Sequence, residues 1–357
     1  MRTDPIAVER FDANPIIHPG LDGDLGENIN GPSLLRVPDW VDDPLGDYYL
    51  YVASHAGRSI RLAYADDLAG PWRIHPHGVL HVDDTPFPSA TLAGRLGQGS
   101  RLAPLTRPAR RIGGALLNRL PAGRSVVPRM QTGRPHVASP DVHADPERRR
   151  LVMFYHGYGG TYVEAGESTT QFTRAATSRD GLRFESREPA LGRFYFRAFG
   201  HDGRFYAVAR APSPGDQRRS GLAVYAADRR LDGYERRTTI LQDGARHAAV
   251  RVRGDELQLC YSRIGDCPER ILYATVDLTD PVEDWVASDP VPVLEPVEDY
   301  EGVGRPLAPS LPGAAREPVR QLRDPDLFED GDALYLAYAV AGERGIALAE
   351  ITDERVV

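Results

Sequence analysis

The sequence predicts an all-β fold, a five-bladed β-propeller, from three observations. An apolar strand, a tight turn and an aromatic-rich second strand recur five times along the chain, each run bounded by turn residues. A third strand follows every pair, and several repeats add a fourth, which makes each repeat the size of a propeller blade. At 357 residues the chain can form one large all-β domain, so residues 1–357 are read as a single propeller.

The second strands are the clearest, at 48–52, 151–155, 205–209, 257–261 and 334–338. The strands before them are expected at 32–37, 139–144, 197–201, 247–252 and 325–329. Turns such as Asp202-Gly203 and Gly331-Asp332 join the two, because a tight hairpin needs residues that tolerate positive φ. Third strands are expected at 60–65, 171–177, 221–226, 271–276 and 345–351, with fourth elements at 70–74, 181–184 and 283–286. The fifth repeat ends after its third strand. The segment 6–17 therefore supplies its outer strand, and the ring closes on the N-terminus. Two stretches break the rhythm: an Arg-, Gly- and Pro-rich insertion at 94–133, with a short amphipathic helix expected over 107–120, and a Pro/Gly-rich connection at 290–319.

A net charge of −8 argues against a nucleic-acid-binding surface. The basic residues are all arginine, which removes lysine nucleophile and Schiff-base chemistry. Cys260 reads as a strand residue and Cys267 as a loop residue. The charged N-terminus lacks an apolar signal core, and no membrane span is visible, so a cytoplasmic protein is expected.

Radial closure brings the start of each first strand and the end of each second strand to one end of the axis. Those places hold Asn30, His136, Asp141, Arg197, Arg246, His247, Arg323 and Asp324 from the first strands. The second strands contribute His55, His156, Arg210, Arg263 and Glu343. Buried polar groups are costly unless paired or used, so their convergence predicts a polar, ligand-binding funnel.

The segment from Tyr48 to Trp72, the run Ser139-Pro140-Asp141-Val142 and the run Arg323-Asp324-Pro325-Asp326-Leu327-Phe328 resemble the propeller glycosidases around glycoside hydrolase family 43. The resemblance implies inverting hydrolysis of a carbohydrate by a carboxylate base and a carboxylic acid, with a third Asp tuning the acid. Asp141 matches the tuning position. The base position of the first blade reads Asn30-Gly31-Pro32-Ser33, and the acid position of the fourth reads Arg246-His247-Ala248. Glycoside hydrolase family 117 is similar in using a histidine acid. The assigned roles are therefore His247 as acid, Asp324 as base, Asp141 as tuning or orienting group, and Glu27 and Glu301 as reserve carboxylates. Arg197, Arg246 and Arg323 would clamp hydroxyls or the carboxylate of a uronic sugar.

No cofactor is required by this reading. A metal-assisted lyase or other sugar-modifying enzyme, with a divalent metal on His55, His136, His156, His247 and Asp141, is the first alternative. A non-catalytic sugar-binding propeller is the second. The expected partners are a carbohydrate and, through the 94–133 insertion, further copies of the chain.

Overall fold

The computed structural model describes residues 5–22, 25–55, 57–87, 135–164, 166–211 and 220–357. The 94–133 insertion lies outside these residues, together with the helix and the assembly role expected of it. The strands form five antiparallel sheets arranged as a ring, a five-bladed β-propeller.

After β1 (Val8–Arg10), the first blade comprises β2 (Asn30–Arg36), β3 (Tyr48–Ala53), β4 (Ser59–Ala65), β5 (Arg73–Ile74) and the short β6 (Leu80–His81). The second holds β7 (Val137–Asp145), β8 (Arg150–Glu164), β9 (Glu167–Ser178), β10 (Glu185–Ser186) and β11 (Gly192–Arg193). The third runs through β12 (Arg197–His201), β13 (Arg204–Ala211), β14 (Gly221–Ala227) and β15 (Glu235–Leu241). The fourth runs through β16 (Ala245–Arg253), β17 (Glu256–Arg263), β18 (Ile271–Asp277) and β19 (Val291–Leu294). The fifth has β20 (Arg323–Asp330), β21 (Ala333–Ala339) and β22 (Ile346–Ile351), with β1 as its outer strand.

Blades stack face to face, so their middle strands are buried on both sides, and this explains their continuous apolar runs. Tyr49 and Tyr51 point from β3 into a core shared with blade 2, against Met153 and Tyr155. Leu50 and Val52 point the other way, into a core shared with blade 5, against Ala337 and Leu348. Three further cores fill the gaps between blades 2 and 3, 3 and 4, and 4 and 5.

Ring closure follows the expected route. Val8, Glu9 and Arg10 pair antiparallel with Ile351, Glu350 and Ala349. Arg10 then reaches the fully buried Glu301 at 2.8 Å, locking the closing strand to the loop before blade 5. Two expectations about blade 4 are corrected. Residues 283–286 are not its outer strand. A single 3-10 turn there drops Trp285 onto Tyr206 of blade 3 at 5.0 Å between ring centroids. The true outer strand, β19, lies inside the stretch read as a mere connection. In blade 2 the fourth strand is β10, just after the 181–184 segment assigned to it. Both cysteines are free thiols, Cys260 buried and Cys267 exposed.

Candidate active site

The innermost strands share one irregularity, which builds the mouth of the funnel. An extra residue is inserted between Asn30 and Ser33, Ala138 and Asp141, Ala245 and Ala248, and Arg323 and Asp326. Blade 3 matches this spacing: Arg197 pairs with Val208, and the Phe194 carbonyl accepts from the Arg210 amide at 3.1 Å. Register thus makes Gly31, Ser139, Tyr195, Arg246 and Asp324 equivalent, as a collar. Ser33, Asp141, Arg197, Ala248 and Asp326 form the next layer inward. Four collar residues take left-handed backbone, Gly31 at φ 57°, Ser139 at 48°, Tyr195 at 60° and Asp324 at 48°. In blade 1 a Cβ on Gly31 would lie 3.2 Å from the Ser139 Cα, so glycine fits the left-handed backbone there without displacing blade 2. A left-handed tyrosine is unusual and marks a position held by its surroundings.

At the collar, His247 Nδ1 and Asp324 Oδ1 are in direct contact between blades 4 and 5. Both side chains are buried. Burial pushes the His247 imidazole below its ordinary value, against the opposing pull of Asp324. Burial alone would raise Asp324, but His247, Arg323 and Arg246 outweigh it and hold the carboxyl below the usual carboxylate range. A carboxylate held in its ionised form thus faces Nδ1 of an imidazole whose burial favours the neutral form, an arrangement that favours the Nδ1–H tautomer and turns Nε2 away from Asp324. Tyr195 packs edge-on against this imidazole, 4.0 Å between centroids.

The other expected histidines gather on the same side. His156 lies 4.9 Å from Tyr195 and 6.1 Å from His136 between ring centroids, and His136 stacks on Tyr158. Burial, then the nearby imidazoles of His136, His247 and His55, hold His156 well below the ordinary histidine value. Its Nδ1 is buried without a hydrogen-bond partner. His55 is more exposed and lies 3.9 Å from Glu343. Among the described residues no group of three His, Cys, Asp or Glu side chains is arranged to hold a metal.

Most of the arginines are occupied. Arg323 pairs with Glu269 at 3.0 Å and with Glu343 at 2.9 Å, and Arg246 lies 3.3 Å from the same Glu269. Arg246 also donates to the carbonyls of Gly313 and Leu311. Glu343 accepts in addition from Asn28 and Asn30. Arg263 binds Asp243 and Asp266, outside this network. Arg210 lies over Phe194 and donates to Ser220.

Asp141 sits one layer further in and away from the dyad. It accepts from His143 at 2.9 Å and from the Ala198 amide at 2.8 Å, and faces Arg197 at 3.5 Å. Arg197 donates across the axis to the carbonyls of Ala248, Pro140 and Pro32, in blades 4, 2 and 1. The fifth blade contributes Asp326, which accepts from the Leu34 amide and whose carboxyl burial pushes up to about 6. Arg197 is thus the floor of the funnel. The reserve carboxylates are elsewhere: Glu301 in the ring-closing loop and Glu27 on an exposed pair with Arg344.

No protein-family model matches the chain. It is 29% identical over 363 residues to an uncharacterized protein of Acanthamoeba polyphaga mimivirus, covering 96% of this chain and 90% of that one. Among solved structures, a candidate glycoside hydrolase from Parabacteroides distasonis superposes with a TM-score of 0.59 at 11% identity, over 98% of this chain and 97% of that one. An α-L-arabinofuranosidase from Lactobacillus brevis gives 0.56 at 12% identity, over 94% and 92%. A family-43 enzyme from Xanthomonas citri, complexed with xylose, gives 0.52 at 11% identity, over 97% and 90%. The fold is that of the propeller glycoside hydrolases.

Relative to the propeller-hydrolase expectations, His247 and Asp324 come together, whereas Asp141 belongs to a different layer. Read as first-strand starts, Asp141 and Asp324 were placed in one set. Blade register aligns it with Asp326, the second Asp of Asp324-Pro325-Asp326. Glu269 and Asn28 went unnoticed because they stand outside the strand ends. Tyr195 was missed because blade 3 carries Phe196 where three other blades carry proline, which hid its equivalence to Asp324.

Proposed function

We propose that the protein hydrolyses a glycosidic bond, with His247, oriented by Asp324, taking the proton from the attacking water while the departing sugar oxygen takes a proton from solvent water. The observation that carries this is the collar dyad: a buried neutral imidazole, fixed through Nδ1 by an ionised carboxylate, keeps Nε2 for a ligand. The same division of labour operates wherever a carboxylate orients a histidine base. The fold shared with glycoside hydrolases supports a carbohydrate as that ligand. An acid and base working on opposite faces of a sugar need about 6.5–9.5 Å between them. Because His247 and Asp324 touch, they act as one unit, and the separate acid and base roles first assigned to them are not part of this proposal.

Arg197, Arg246 and Arg323 have acceptors inside the protein, so the proposal needs no anionic sugar. A second reading, sugar binding without turnover, is favoured by one observation: Asp324 is the only carboxylate among the five collar residues.

The test is a panel of neutral and uronic 4-nitrophenyl glycosides and oligosaccharides, with His247→Ala as control. Release of reducing sugar that is lost in the variant supports the hydrolase. An unsaturated, ultraviolet-absorbing product marks elimination, and saturable binding with no product marks the sugar-binding propeller.

A further inference from the structure

Tyr195 stands where three other blades place Gly31, Ser139 and Asp324, with its backbone at φ 60°. Left-handed backbone strains a non-glycine residue and persists only where the surroundings over-determine it. Here they do. The Tyr195 ring is edge-on to His247 at 4.0 Å, to His156 at 4.9 Å and to Phe194 at 5.0 Å. Burial keeps the phenol protonated, pushed up to about 12, so at neutral pH Tyr195 adds no charge beside the dyad.

We propose that Tyr195 is a positioning residue: its ring is the wall that holds the His247 imidazole against Asp324 and shields one flank of the imidazole from water, leaving Nε2 to the ligand. The inference builds on the role given to His247, but its test does not depend on turnover. The groups facing this imidazole are Asp324 from β20, Arg246 beside it on β16, Glu269 from the loop after β17, His156 from β8, and Tyr195 itself. Of these, Asp324 and Glu269 favour the protonated imidazole, while Arg246 opposes it. Burial opposes it most strongly. Removing the wall relieves that burial and leaves the carboxylates in place, so the imidazole becomes easier to protonate.

The experiment is an NMR titration of the His247 ring, assigned with His247→Gln, in the wild type, Tyr195→Phe, Tyr195→Leu and Tyr195→Ala. Tyr195→Phe keeps the wall and is expected to retain the wild-type midpoint. Tyr195→Ala is expected to move the midpoint upward, with Tyr195→Leu between the two. If Tyr195→Ala fails to fold, the order of Phe and Leu still decides. An unmoved midpoint in Leu and Ala, or an equal displacement in Phe, overturns the proposal. A displaced midpoint in a protein without glycosidase activity would leave Tyr195 as proposed and refute the hydrolase alone.

Discussion

His247 and Asp324 meet across the seam between blades 4 and 5, imidazole Nδ1 against carboxylate Oδ1. Asp324→Asn tests the pair with little backbone disturbance, because asparagine accepts the left-handed conformation at this position. An amide can present its NH₂ to Nδ1 and favour the wrong tautomer. Turnover of whichever glycoside the wild type cleaves is expected to fall about 10²–10⁴-fold, with the circular dichroism spectrum unchanged.

The pH–rate profile distinguishes a base from an acid. Burial sets the His247 value below its ordinary 6.5, and the neutral form is the active one in this proposal. The rate is expected to stay level above that pH and to decline as the pH drops through the lowered value. A rate that climbs toward acid would mean that the imidazolium is the working form.

Asp326 and Asp324 make opposite contributions to stability. The Asp326 carboxyl is raised to about 6 when folded, so the folded state binds the extra proton, and its contribution shrinks as pH rises from about 4 to 6. Asp324 is lowered, so its contribution is present above the unfolded value of about 3.9 and disappears as pH falls below it. Asp326→Asn is expected to gain roughly 3 kcal/mol over the wild type at pH 8 and little at pH 4. Urea unfolding at the two pH values measures the difference.

Replacing Arg197 removes a cation that four blades rely on. Arg197→Met leaves Asp141 without its guanidinium and strands the carbonyls of Pro32, Pro140 and Ala248. A loss of about 3–5 kcal/mol is expected by chemical denaturation. Arg197→Lys is not expected to rescue it, because one ammonium cannot address carbonyls in three directions.

Arg10→Ala tests the ring closure. Glu301 also accepts from Tyr338 and from the amides of Val297 and Glu298, so the fold should survive. A cost of about 1–3 kcal/mol is expected for a buried carboxylate deprived of its cation, together with faster amide exchange in β1 and β22.

The blades were readable because their middle strands bury both faces. Tyr48 through Ala53 has no polar position, and such runs announce themselves. Outer strands such as β15, where Glu235, Arg236 and Arg237 lead, have one solvated face and carry little apolar signal. The site was legible as a set of strand ends, since His156, Arg210 and Arg263 occupy one register position on their second strands. Depth along the axis was barely legible. The extra residue in each inner strand shifts side chains between layers; strand pairing places Asp324 in the collar and Asp141 in the layer beneath, a step that the sequence marks only through Pro32, Pro140 and Pro325.

The guanidinium of Arg197 turns what could have been a tube into a cup. On the reaction proposed above, a fragment cleaved beside His247 would leave by the doorway through which it came. A released fragment lodged above Arg197 would bar the next ligand, so product inhibition competitive with substrate follows from a single side chain at the bottom.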